Sequence, residues 1–379
     1  MGIRSRIGVR SVALMFLIAT CAAAKVDVPT LKQTFKGVFV VGAAINEMQI
    51  SGQDQRGDAL IESQFNSISP ENVLKWERVH PELGRYDFDL ADKYVAFGQE
   101  HHMFIVGHTL VWHSQVPVWV FQDDNGNMLG RDALLARLKD HIDTVVGRYK
   151  GKIQSWDVIN EVLNEDGTLR QSLWYKIIGP DYIEKAFQYA HEADPQAQLF
   201  YNDYNLENEP KRNGAIALVK KLKSEGIPIS GVGIQGHDHL DWPTADQEDA
   251  TISAFAALGV KVAITELDIS VLPNAGAQPT ADISLKVKQN ASLNPYVNGL
   301  PDSVQQALAA RYADLFRVYV KHRDTVERVT AWGVTDGDSW LNDWPVQGRT
   351  NYPLLFDRSG QPKLAYNAVI AVASDTAIK

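Results

Sequence analysis

A single cysteine, Cys21, is present among 379 residues. That count excludes a small fold stapled by disulfides, so the chain must rely on its core. Positive charge is not in excess either. Thirty-seven lysines and arginines face 46 aspartates and glutamates, a formal net charge of −9. A nucleic-acid partner wants a basic face and an anionic membrane surface wants basic clusters, so both are disfavoured. A neutral ligand suits the charge better. The chain also has no P-loop, no CxxC, no G-x-S-x-G and no HExxH, the patterns that would have pointed to phosphate, redox, serine-hydrolase or zinc-protease chemistry. No low-complexity linker or block of like charge divides it. With 45% hydrophobic and 22% charged residues, it has ordinary globular composition and can bury a large core.

The N-terminus reads as a targeting segment. Arg4, Arg6 and Arg10 make a basic start, residues 12–20 are apolar, and Ala22-Ala23-Ala24 offers small residues for cleavage. The apolar stretch is too short to span a membrane. A signal peptide over 1–24 and a catalytic unit over 25–379 are therefore expected, with export to the periplasm or the medium. Ile18-Ala19-Thr20-Cys21 supports a second reading, lipid anchoring through Cys21, which Thr20 fits poorly.

Beyond that segment, short apolar runs alternate with longer amphipathic ones. Strand-like runs occupy 38–46, 65–72, 103–113, 153–161, 198–205, 231–237, 261–269 and 328–336. Helical periodicity fills 131–150, 172–193, 210–225, 245–258, 303–323 and 363–373. Eight strands alternating with helices predict an α/β fold, a single-domain (β/α)8 or TIM barrel. Each run starts apolar and turns polar at its end: SISPEN, GHTLVWH, WDVINE, YNDYN, GIQGH, ITELD and AWGVTD. In such barrels the functional groups sit at the C-terminal ends of the strands, so these polar endings converge on one rim.

Two glutamates stand out there, Glu161 after the fourth strand and Glu266 after the seventh. Three β/α units separate them, so they can face each other across the barrel mouth. A pair of carboxylates in a cleft favours glycoside hydrolysis, one as acid and base, the other as nucleophile or base. The bland alternative is that each pairs with a structural Arg or Lys. Around the pair lie Trp112, Tyr204, Trp332, Trp340 and Trp344. Sugar rings present apolar C–H faces to such aromatics and hydroxyls to amides. Trp156 and Trp174 read instead as core. Asp157, which shares WDVINE with Glu161, is expected to make a structural hydrogen bond or ion pair. His108, His113, His237 and His239 could in principle ligate a metal, but the first strand lacks a metal-binding pair, and no catalytic metal or other cofactor is expected.

Taken together, GHTLVWHSQ (107–115), WDVINE (156–161), YNDYN (201–205), ITELD (264–268) and AWGVTDGDSWL (331–341) resemble glycoside hydrolase family 10, the retaining endo-β-1,4-xylanases. The resemblance runs from about residue 39 to 371. It implies that Glu161 is the acid/base and Glu266 the nucleophile. It implies that Asn160 bonds the 2-hydroxyl of the sugar in subsite −1, and that Gln235 and His237 flank the nucleophile, which His237 and Asp268 hold in place. Glu71 and Asn72 resemble subsite −2 ligands, and Lys75 reaches subsite −1. His108, Trp112 and Gln115 resemble glycone-side residues. Trp332 and Trp340 would floor and wall the glycone region, and Tyr204 would stack a sugar in subsite +1. Under this reading the charge on Glu266 raises the pKa of Glu161.

The implied partner is xylan or xylo-oligosaccharide, with no nucleic acid, no required protein partner, and a monomeric enzyme. A cellulase or mixed-specificity glycanase, and an inactive glycan-binding barrel, are the alternatives. The long polar segment 273–300 and Trp242, in the loop after the sixth strand, leave the outer subsites open.

Overall fold

The computed structural model describes residues 1–2, 29–276 and 280–375. The predicted signal peptide and Cys21 lie outside the described residues, Met1 and Gly2 apart. Among the described residues nine strands form: β1 (Val40–Ile45), β2 (Ser67–Pro70), β3 (Phe104–Val111), β4 (Ser155–Asn160), β5 (Gln198–Asp203), β6 (Gly231–Ile234), β7 (His237–His239), β8 (Lys261–Ser270) and β9 (Val326–Ala331). Every pairing is parallel, and neighbours run β6-β5-β4-β3-β2-β1-β9-β8. Pairing of β6 with β8 closes the ring, so eight strands make the barrel. The ninth, β7, continues the line of β6 and pairs with the far end of β8.

β2, β4 and β6 are buried from end to end, and the other barrel strands along most of their length, because helices cover their outer face and side chains fill the inside. Gly107 lets β3 and β4 pack closely. A Cβ there would meet the Trp156 ring at 2.1 Å. The helix Arg131–Arg148 buries Leu134, Leu138, Ile142 and Val145, as their spacing of three and four predicts.

The expected segment 172–193 is two helices, Leu173–Ile178 and Tyr182–Ala193. Gly179 at φ 101° and the following Pro180 break it. Among helices of ten residues or more, two carry no counterpart in the periodicity described above, Gln55–Gln64 and Asp89–Glu100. Asp89–Glu100 buries a narrow face of Ala91, Tyr94, Val95 and Gly98, and its small residues weaken the apolar signal.

The β8 strand extends to Ser270, so Glu266 lies within it rather than after it. Its register against β9 shifts between Ile264 and Leu267. The irregularity falls at the glutamate and lets the strand present it to the barrel mouth.

Candidate active site

Glu161 directly follows β4 and adopts a left-handed backbone, φ 57°. A non-glycine residue there is uncommon and costs conformational energy. Surrounding bonds hold it. Its N–H donates to the Asn202 carbonyl at 2.9 Å, and its own carbonyl accepts from Arg170 Nε at 3.0 Å. The side chain is buried. Trp112 Nε1 donates to Oε2 at 2.8 Å, while Gln235 Nε2 and Asn160 Nδ2 donate to Oε1 at 3.1 and 3.3 Å.

Glu266 is held as firmly. Asn202 Nδ2 donates to its Oε1 at 2.7 Å, and His237 Nε2 lies 3.1 Å from Oε2. His237 Nδ1 in turn lies 3.1 Å from Asp268 Oδ1. Trp340 Nε1 donates to the other oxygen of Asp268 at 2.8 Å. Asn202 also donates to Asn160 Oδ1 at 2.9 Å, so an unbroken run of amides connects the two glutamates. Among the described residues neither carboxylate pairs with Lys or Arg. The imidazoles beside them are His113, 3.9 Å from Glu161, and His237.

The two carboxyls sit in opposite electrostatic environments. Burial pushes Glu161 up to about 7. The negative charge of Asp203 adds to this, and Glu266 contributes less than either. The charge on Glu266 thus raises Glu161 as expected, but burial and Asp203 come before it. For Glu266 burial again favours the neutral form. The His237 hydrogen bond, the fields of His108 and His237 and the Asn202 hydrogen bond outweigh it and hold the carboxyl below its ordinary value. Burial disfavours a charged His237, but Asp268 and then Glu266 overcome that and raise it to about 10. His113 is pulled down to about 4, first by burial and then by the nearby Arg170. One carboxyl is thus poised to carry a proton near neutral pH while the other stays ionised, the division that acid-assisted displacement at a glycosidic carbon requires.

A cavity of about 130 Å³ joins both carboxylates. It brings together thirteen of the residues singled out from sequence; Asp268 stands behind it and Tyr204 is outside it. Lys75 Nζ donates to Asn72 at 3.1 Å and Gln115 at 2.9 Å. Burial lowers the pKa of Lys75 and raises that of Glu71. Trp332 and Trp340 pack beside His237, and Trp340 stacks on Trp344 at 4.4 Å.

Tyr204 is only 3% exposed. Its hydroxyl accepts from Arg170 Nη2 at 3.0 Å, and the Lys211 ammonium lies 3.4 Å from its ring centre. Little of the ring is left to stack a sugar. Trp242 lines a separate groove of about 630 Å³ with Glu165, Asn208 and Arg212. Asp157 bonds His108 Nδ1 at 3.0 Å, deep in the barrel.

Sequence reasoning passed over Asn202, although YNDYN contains it. It also passed over Arg170, Ala281 and Ile283, which lie in loops with no periodic signal. Among the described residues no group of three or more His, Cys, Asp or Glu is arranged to hold a metal ion.

Residues 30–372 match the model of glycosyl hydrolase family 10. The chain belongs to this family. Among curated relatives, an endo-1,4-beta-xylanase A of Xylanibacter ruminicola is 46% identical, over 94% of this chain and 97% of its own. Among solved structures, a GH10 endoxylanase from a sugarcane soil metagenome superposes with a TM-score of 0.88 at 48% identity, covering 90% of this chain and 99% of its own. A mutant protein in complex with xylotriose superposes with a TM-score of 0.80 at 37% identity, covering 90% and 99%. This family 10 chain is a retaining glycoside hydrolase whose catalytic unit is one (β/α)8 barrel.

Proposed function

We propose that the chain cleaves internal β-1,4-xylosidic linkages of xylan by double displacement. Glu266 is the nucleophile and Glu161 the acid/base. The observation that carries this reading is the opposed ionisation of the two buried glutamates, about 7 for Glu161 against a depressed value for Glu266. In the first step a Glu266 oxygen attacks the anomeric carbon. The glycosidic C–O bond breaks, and the Glu161 proton goes to the departing oxygen. In the second step water gives a proton to Glu161 and attacks the same carbon, releasing Glu266. Two inversions leave the β configuration.

Asn160 lies within reach of both carboxylates through its bonds to Glu161 and Asn202. Its role is to bind the 2-hydroxyl as positive charge develops on the sugar. Lys75, Asn72, Glu71, His108, Gln115 and Gln235 take hydroxyls on the glycone side, with Trp112, Trp332 and Trp340 against the ring faces.

The substrate reading draws on the endo-1,4-beta-xylanase activity of the relative from Xylanibacter ruminicola and on the xylotriose-bound neighbour. Release of reducing ends from xylan and from carboxymethyl cellulose, with sizing of the products, tests it. Internal cleavage and faster turnover of xylan are expected; faster cellulose cleavage overturns it. An α-configured first product refutes double displacement.

The enzyme acts as an exported monomer after cleavage behind Ala24. The basic, apolar and small-residue order of residues 4–24 supports export. N-terminal sequencing of the mature protein and its sedimentation mass test these two statements.

A further inference from the structure

The cavity at the two carboxylates is lined mainly by polar and aromatic residues. Among the described residues Ala281 and Ile283 are its only aliphatic lining, and both come from the segment after β8. Ala281 is 3% exposed. The segment is anchored on both sides of the barrel mouth. On the β4 side, Asp282 Oδ2 lies 3.9 Å from Arg170 Nη1, the arginine whose Nε donates to the Glu161 carbonyl. On the β9 side, Val287 N donates to the Pro345 carbonyl at 2.9 Å, next to the stacked pair Trp340 and Trp344. Between these anchors the backbone is set by Asp282 itself. Its N–H donates to Thr280 Oγ1 at 3.1 Å, and its Oδ1 accepts from Ser284 N at 3.0 Å. The Asp282 carboxyl is held below its ordinary range. Burial opposes this, but the Ser284 bonds and the charge of Arg170 outweigh it.

We infer that residues 281–283, tethered through Asp282 to Arg170, form a specificity-determining roof that fits the cleft to a pentopyranose without a hydroxymethyl group. The inference rests on the xylanase reading above. A ring at the reacting centre shares the cavity with Trp332 and Trp340 and with Ile283. A xylose ring can put its C–H faces against such surfaces and its hydroxyls toward Asn160, Gln235 and Lys75. A hexose adds a hydroxymethyl group at C5. In a space of about 130 Å³ that group must either displace the roof or lose its hydrogen bonds to water against an aliphatic surface, and each is costly. Because Arg170 holds both Asp282 and the Glu161 backbone, the roof stands in a fixed place relative to the acid/base.

The test compares kcat/KM for aryl β-xylobioside and aryl β-cellobioside, which differ only by the hydroxymethyl groups. Wild-type enzyme, Ile283→Ala and Asp282→Ala are measured, each checked for a native melting transition. Both substitutions are expected to raise the cellobioside-to-xylobioside ratio by about tenfold or more, the scale of one methylene in a fitted pocket. A ratio within twofold of wild type in Ile283→Ala overturns the roof. A ratio that moves there but not in Asp282→Ala overturns the tether. Wild-type enzyme that cleaves neither glycoside overturns the xylanase reading and this inference with it. Wild-type cleavage of the xylobioside with insensitive ratios overturns this inference alone.

Discussion

His237 presents Nε2 to Glu266 Oε2 at 3.1 Å, and its other ring nitrogen meets Asp268 at the same distance. One buried cation is therefore shared by two buried carboxylates. The arrangement keeps His237 charged up to about 10 in spite of its burial, and it keeps Glu266 ionised where burial alone would neutralise it.

Replacing the imidazolium with a neutral amide removes that support. In His237→Asn, burial acts on Glu266 with the Asn202 bond and the fields of His108, Lys75 and Arg328 left to oppose it, so the Glu266 carboxyl takes up a proton at higher pH. The acidic limb of kcat/KM against pH is expected to move up by about 1–3 units, the usual effect of an adjacent opposite charge. An unmoved limb, whatever the loss in rate, would show that His237 does not set the ionisation of Glu266.

For the wild-type enzyme the active form has Glu266 ionised and Glu161 protonated. Activity falls as pH drops through the depressed Glu266 value and again as pH rises through about 7, where Glu161 loses its proton. A bell with a mildly acidic optimum and an alkaline limb near 7 is expected for kcat/KM. Burial and Asp203 outrank Glu266 in raising Glu161. In Glu266→Gln the Glu161 carboxyl, followed by carbon-13 NMR, should therefore titrate only slightly lower than in wild type. A return to about 4.5, the ordinary value of a glutamate, would mean that the charge on Glu266 dominates after all.

His237 also ties stability to pH. Its folded pKa, about 10, lies above the ordinary 6.5, so the folded state binds the proton more tightly than the unfolded chain. That contribution is present in full below about 6.5 and is lost as pH climbs through about 10. The melting temperature should decline across this window, and His237→Asn should flatten the decline. Equal slopes for the two proteins would contradict the linkage.

Lys211 and Asp203 form an ion pair at 3.0 Å with no exposed side-chain surface on either partner. Asp203 also accepts from Tyr201 Oη at 2.6 Å. Lys211→Met leaves a buried carboxylate without its cation. Breaking a buried pair from one side costs about 3–5 kcal/mol, and chemical denaturation should register a loss of that order. A loss below 1 kcal/mol would indicate that Asp203 is neutralised or solvated in the variant.

The barrel and most of the cleft were legible in the sequence because both follow strand periodicity. An apolar run that ends on Asn160-Glu161 or on Gln235 announces a buried strand and a polar rim in the same few residues. Tyr204 shows the limit of that reasoning. It follows β5 as the motif suggests, yet its ring is covered by Lys211, which lies on the next helix, and its hydroxyl is taken by Arg170 from another loop. Ile283 lies beyond reach for the same reason. Its position depends on an ion pair between Asp282 and Arg170, and spacing along the chain carries no record of such long-range contacts. The pKa order at Glu161 was likewise hidden, because it depends on how deeply the side chain is buried and on Asp203, 42 positions on and one strand over.

Glu161 donates a proton in one step and accepts one in the other, and the two duties respond differently to the leaving group. An aryl oxygen of low basicity departs without a proton, so Glu161→Ala should form the glycosyl-enzyme from an activated aryl xylobioside at a rate near that of wild type. The same variant on xylan, whose leaving sugar oxygen is strongly basic, should lose about 10²–10⁴-fold in that step, the range for a general acid. Hydrolysis of the intermediate then lacks its base, so the activated substrate should show a burst followed by slow turnover. Azide, a nucleophile that carries no proton to remove, should accelerate that second phase and give a β-configured glycosyl azide. Equal first-step losses on the aryl glycoside and on xylan would refute the acid role of Glu161. A burst that azide does not shorten would refute its role as base.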